Sequence, residues 1–392
     1  MRFGVNYIPS RNWLYSWTDW DPGAVAADLA AVRSLGFDHV RLHLLWSLFQ
    51  PNPTLVSPVL LDRLVALLDA CAAEGLQAQV TVLNGWMSGF LFRPSWMSPD
   101  RSFFDDPEVV SAAERYVRAV ARTIAAHPAA LGIDIGNELS VLADHEPVWP
   151  APLSADGWAG NLLRACAQEM PNGTHCNGVD HRPWLTRTAP FGRERLAADG
   201  SVTVVHAWPY FTGAFARYGH RDGRALHIGA YLVELANAYA ATPHRQVWAQ
   251  EIGLSEQWVP AADITDAAAH FLRSTASASQ LWGVTWWCSH DIDPALTGFA
   301  PLEYDLGLLT TDNAVKPMGA AVAAAIRDHR DIPPATRDTA IVLLDEDGLR
   351  TMDTFLELAA DGVHPRIVLP SKAQDEAHLH ARGIRHVVTP DR

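Results

Sequence analysis

Leu131-Gly132-Ile133-Asp134-Ile135-Gly136-Asn137-Glu138 is an apolar run that ends on an amide and an acid. A second run, Val247-Trp248-Ala249-Gln250-Glu251-Ile252-Gly253, brings another glutamate to its end. Short runs of this kind recur along the chain. The predicted strands are residues 3–6, 39–44, 77–83, 131–136, 175–179, 202–206, 247–251 and 283–288. Between them lie longer amphipathic stretches, read as helices at 22–35, 58–74, 107–127, 155–169, 223–241, 265–279 and 317–330. Pro22, Pro58 and Pro107 open three of these, where a missing N–H costs nothing, and Gly36 and Gly75 close two.

Eight strands alternating with helices over residues 1–330 predict an α/β chain folded as a (β/α)8 TIM barrel. A doubly wound open sheet is the runner-up, but it would carry a glycine-rich first turn, whereas residues 7–20 hold three tryptophans. The weak point is the fifth unit, where 182–198 is broken and contains proline. Pro333-Pro334 marks a boundary. Beyond it, residues 331–392 form a C-terminal extension with a β-α-β-α-β pattern at 339–344, 351–360, 366–369, 376–382 and 385–388.

Composition narrows the function. Lys+Arg 30 against Asp+Glu 44 gives −14, which disfavours nucleic acid and anionic membranes as partners. Hydrophobic residues make up 48% and charged residues 19%, enough apolar side chain for a full core. Residues 1–7 lack an apolar signal segment, so the expected location is cytoplasmic, with Cys71, Cys166, Cys176 and Cys288 reduced. No phosphate loop or HExxH spacing appears, and His378 and His380, two apart, read as solvated histidines on a helix of the C-terminal extension, so neither cofactor nor metal is expected. A metal-dependent sugar enzyme stays a distant rival.

In a barrel, chemistry sits where strands end. Glu138 and Glu251 therefore face one another across the mouth, an arrangement that fits retaining glycoside hydrolysis, where the carboxyl groups stand roughly 5–5.5 Å apart. An acid after a strand also serves as an ordinary helix cap. Two such acids, one beside Asn137, favour the catalytic reading over a non-catalytic sugar-binding barrel. Tryptophan is unusually abundant, 15 against 13 Phe and 8 Tyr. Thirteen of the fifteen, Trp86 and Trp149 among them, fall at the active end of the predicted strands or in the segments that follow, where indoles stack on sugar faces; about half are expected to be loop core.

These motifs resemble clan A glycoside hydrolases, family 5 in particular. Gly4-Val5-Asn6-Tyr7, Val204-Val205-His206-Ala207-Trp208 and the run from Gly283 to Asp293 are similar to subfamily 18, β-mannosidases acting on mannosyl-β-1,4-N-acetylglucosamine. The resemblance implies Glu138 as acid/base and Glu251 as nucleophile. It implies Arg41 beside the nucleophile, Asn137 on the sugar 2-hydroxyl, His206 on the sixth strand, and Trp286 or Trp287 as the floor of the site. The chain departs from the family pattern where Trp208 replaces an expected tyrosine, with Tyr210 next in line, and where Asn84 stands near an expected histidine. An indole N–H cannot accept a hydrogen bond, so the contact to the nucleophile must differ. His290 and Asp291 complete the candidate substrate-binding set. The expected partner is a small oligosaccharide; an exo- or endo-β-1,4-mannanase or glucanase is the alternative. Oligomeric state is not readable.

Overall fold

The computed structural model describes residues 1–146, 152–186, 189–330, 336–344 and 348–390. Seven parallel strands form one curled sheet: Arg2–Asn6, His39–His43, Gln77–Leu83, Ala130–Gly136, Thr203–Ala207, Val247–Ile252 and Leu281–Trp286. The strand Arg2–Asn6 pairs on one side with His39–His43 and on the other with Leu281–Trp286, so the first and last strands meet as a barrel requires. Helices Pro22–Ser34, Pro58–Ala73, Pro107–Ile124, Pro152–Glu169, Ile228–Ala238, Ile264–Ala276 and Pro317–Arg330 fall between or after the strands. Local chemistry sets several of their starts. The carboxylates of Asp21 and Asp106 and the hydroxyl of Ser57 accept the first free backbone N–H groups, with proline directly after each cap.

The fifth barrel position departs from expectation. Residues 175–179 carry no regular strand, only a bridge between Asp134 and Cys176. The segment is nonetheless bonded to the fourth strand: Thr174 N–H to Leu131 O at 2.7 Å, Cys176 N–H to Ile133 O at 3.0 Å and Ile135 N–H to Cys176 O at 3.0 Å. It approaches so closely that a Cβ on Gly132 would lie 2.1 Å from Thr174 O. On its other side its edge is tied to Ser201, whose N–H donates to His175 O and whose Oγ accepts from His175 N–H at 3.1 Å. An extended segment thus fills the gap without completing a ladder. The following helical region is broken into Arg182–Leu185 and Arg193–Ala198.

The C-terminal segment forms a parallel three-stranded sheet, Thr339–Val342 flanked by Arg366–Val368 and His386–Val388. It packs on helix Ile228–Ala238. Tyr231 meets Phe355 edge-on, and Arg382 donates to Asn237 O. Ile341, Phe355 and Leu356 join the same hydrophobic core as the barrel helices. The Pro333-Pro334 boundary and Trp149 lie outside the described residues. All four cysteines are free and buried, and no described helix is long and apolar enough to cross a membrane.

Candidate active site

Inward-facing residues of the barrel strands build the site in layers. At the base, His39 Nε2 and Trp248 Nε1 both reach Thr285 Oγ1, at 2.9 and 2.8 Å. Burial lowers the His39 pKa to about 3, so it is a neutral packing histidine. Above it sits Arg41, fully buried. Its Nε and Nη2 donate to Asp134 Oδ2 at 3.1 and 2.8 Å, Nη2 also to Asn137 Oδ1 at 2.9 Å, and Nη1 to Asn6 Oδ1 at 3.1 Å and Glu251 Oε2 at 3.4 Å. Asp134 is satisfied further by Thr81 Oγ1–H at 3.0 Å and Gly178 N–H at 2.8 Å. A buried ion pair needs this completeness, because desolvation otherwise exceeds the Coulomb gain.

Two backbone irregularities aim the glutamates. The ladder between the sixth and seventh strands slips between Val205 and His206, and that between the seventh and eighth slips between Ala249 and Ile252. Strict alternation would send Gln250 and Glu251 to opposite faces. At this bulge both reach the site: Gln250 Oε1 lies 3.2 Å from His206 Nε2, and Glu251 meets Arg41 and Trp208. Glu138 sits in the left-handed region at φ 45°, ψ 49°, rare for a residue with a Cβ and typical of functional turns.

His206 joins the two acids. Its Nδ1 lies 3.2 Å from Glu138 Oε1 and 3.6 Å from Glu251 Oε2. Nδ1 faces carboxylates and Nε2 faces a carbonyl oxygen, so both ring nitrogens have acceptors. Burial works against the imidazolium, but Glu251 and Glu138 outweigh it, and the His206 pKa is raised. Burial and Glu138 raise the Glu251 carboxyl, against His206, Arg41 and Trp208. Trp208 Nε1–H donates to Glu251 Oε1 at 3.0 Å, so the indole supplies a non-titrating donor to the carboxylate. Gly253 is required here, since a Cβ would lie 2.5 Å from the Trp208 ring. Carboxylate oxygens of Glu138 and Glu251 and a ring nitrogen of His206 lie within 4.8 Å of one another. This donor set could in principle hold a cation. Its Nδ1 contacts have hydrogen-bond rather than coordination lengths, and Arg41 already brings positive charge to Glu251.

The remaining candidates divide. Trp287 stands edge-on to His43 at 5.5 Å and packs with Trp208, whereas its neighbour Trp286 is wholly enclosed and meets Phe271 of helix Ile264–Ala276. Trp286 therefore belongs to the core packing. His290 is likewise out of reach. It is fully buried, with Nδ1 at Ile8 O and Ser289 Oγ and Nε2 at Asn313 Oδ1. Asp291 is occupied by Lys316 Nζ at 2.8 Å and Gly307 N–H at 2.9 Å, which fixes the loop after the eighth strand. Trp86 lies in a short hairpin, stacks on His145, and accepts the Asn137 amide on its carbonyl at 3.3 Å. Tyr210 is 51% exposed and stacks flat on Trp258 at 4.5 Å. Trp13, Trp17, Trp46, Trp158, Trp184 and Trp286 are buried in packing, as are Trp208 and Trp287 beside the site. Asn84 is buried and donates to Leu44 O and Thr81 O.

Sequence reading passed over Asn6, Asp134 and Glu303. The first two carried a signal: a polar side chain inside an otherwise apolar strand. Glu303 carried none, since it lies in a short helical turn, Pro301–Tyr304, well past the last strand. Burial, with the charges of Glu251 and Glu138, pushes its carboxyl up to about 7.

Neither a protein-family model nor a curated protein matches the chain. Solved structures do. A GH5_18 enzyme from Streptomyces cattleya in complex with GlcNAc is 42% identical with a TM-score of 0.95, covering 99% of this chain and 98% of that one. Another structure of GH5_18 from the same organism, a point variant at 41% identity, holds Manβ1-4GlcNAc. A GH5_18 from Bifidobacterium longum subsp. infantis is 31% identical with a TM-score of 0.94, covering 100% of this chain and 97% of that one.

Proposed function

Because the chain belongs to subfamily 18 of glycoside hydrolase family 5, we propose that it is a retaining β-mannosidase that cleaves the β-1,4 bond of mannosyl-N-acetylglucosamine, the disaccharide at the core of N-glycans, in the cytoplasm. The observation that carries the mechanism is one imidazole nitrogen facing both glutamates, 3.2 Å from Glu138 and 3.6 Å from Glu251.

Charge bookkeeping then assigns the states. Arg41 and protonated His206 supply two positive charges; Asp134, Glu138 and Glu251 would supply three negative ones. The set is neutral when one glutamate holds a proton. Glu138, with 19% of its side chain exposed against 7% for Glu251, is the one in touch with solvent and substrate oxygen. Glu251 is tied by Arg41 and the Trp208 N–H and attacks as the carboxylate. In the first step Glu138 protonates the glycosidic oxygen as Glu251 bonds to the anomeric carbon. N-acetylglucosamine leaves, Glu251 is esterified, and Glu138 is ionised. The positive and negative charges balance again, so the intermediate needs no rearrangement of the buried network. Glu138 then takes a proton from water, which displaces Glu251 and gives β-mannose. Asn137, held by Arg41 at its oxygen, keeps its amide N–H groups for Trp86 O and the sugar 2-hydroxyl, and Trp287 floors the sugar.

The test is a product assay on mannosyl-N-acetylglucosamine, mannobiose and mannan, with proton NMR of the first product. Rapid release of β-mannose from the first substrate is expected. The α-anomer as first product would overturn the double displacement, and faster turnover of mannan would move the assignment to a mannanase.

A further inference from the structure

At the end of the barrel away from the glutamates lies a cavity of about 1030 Å³, between Phe3 and Leu281 at the strand bases and the C-terminal sheet. Six arginines line it: Arg273, Arg330, Arg337, Arg366, Arg382 and Arg385. Among the described residues lining it the only carboxylate is Asp338. In a chain of net charge −14 this concentration runs against the composition.

Among the described residues, acids answer only two of the six. Arg330 is paired with Asp38 at 2.8 Å, and Arg337 is 3.8 Å from Glu234. Arg366 and Arg382 reach backbone carbonyls, those of Arg382 at 2.6 Å and Asn237 at 2.9 Å. Each of these two also keeps a buried Nε–H with no partner. Arg273 and Arg385 are exposed at the rim and make no ion pair with a described residue. Burial lowers the pKa of both Arg337 and Arg382, so the protein's own acids do not offset the desolvation of these cations.

We propose that this cavity binds a small polyanion of the phosphate class, held by Arg273, Arg366, Arg382 and Arg385. Guanidinium forks match the paired oxygens of phosphoryl groups, and several converging forks select a ligand with more than one anionic oxygen. The volume is of the order of a small-molecule site, about 300–1,000 Å³. The acidic surface outside the cavity disfavours a nucleic acid strand as the source of phosphate.

Isothermal titration of the full chain at low salt, with inorganic pyrophosphate and with glucose 6-phosphate, tests this, and glucose serves as the uncharged control. Binding of at least one anion is expected, weakening as salt rises. The phosphate that binds more tightly identifies the source, inorganic or sugar-borne. The Arg273→Gln/Arg385→Gln double variant changes only exposed side chains, so its unliganded melting temperature should stay unchanged while affinity falls on the order of tenfold. No binding of either anion at about 10 mM, or undiminished binding by a folded double variant, would overturn the site.

Discussion

At the mouth of the barrel the buried cations Arg41 and His206 face Asp134, Glu138 and Glu251; at its other end six guanidiniums line a cavity with one described carboxylate. The arginine cavity closes its balance with backbone carbonyls and leaves two Nε–H groups without partners. The contrast matches the ligands proposed for each. An uncharged disaccharide brings no charge, so the mouth supplies both signs from its own side chains. A site that leaves cations uncompensated needs its counter-charge from outside.

The strongest way to break the mouth's balance is to remove the proposed nucleophile. Glu251→Gln should lose several orders of magnitude in kcat while still binding the disaccharide, measured by steady-state kinetics and calorimetry. Ordinary turnover would refute the assignment. Arg41→Met comes next, because it leaves Asp134 buried without its cation. Urea unfolding should show a loss of about 3–5 kcal/mol, whereas a loss under about 1 kcal/mol would mean the pair is worth no more than a surface one.

Trp208→Phe sharpens the comparison more gently. It removes the N–H that lowers the Glu251 carboxyl, so the acid limb of kcat/KM should move to higher pH. An unmoved limb would show that the indole only packs. At Glu303 the readout is stability rather than turnover. Its folded pKa, about 7, lies above the ordinary value of 4.5. Its contribution to stability is therefore present below about 4.5 and is lost as pH rises through about 7. Glu303→Gln should reduce the fall in melting temperature between pH 5 and pH 8; an identical fall in the variant would exclude that carboxyl as its source.

Much of this was legible in the chain. Short strands ending in Glu138 and Glu251 follow from local pattern, and capped, proline-initiated helices start where Asp21, Ser57 and Asp106 stand. The choice between Trp286 and Trp287 was not legible. Barrel strands are buried on both faces, so an apolar pair on one of them carries no mark of which side faces the lumen. Packing on Phe271 decides it for Trp286. His290 and Asp291 drew attention as polar residues after a strand, yet their partners Ile8, Asn313, Lys316 and Gly307 are distant in sequence or supplied by backbone, and those partners occupy them. The fifth strand failed for a related reason. Its run has strand composition, but its backbone ladder runs along the fourth strand, which it approaches closely at Gly132, and its other edge meets Ser201 rather than the next strand.

The sequence by itself determined which residue types stand at the strand ends, because periodicity and capping are local properties of the chain. Only the tertiary structure decided which of them meet. The distance from His206 to each glutamate depends on slips in two strand ladders and on one left-handed residue, which bring together positions far apart in the chain.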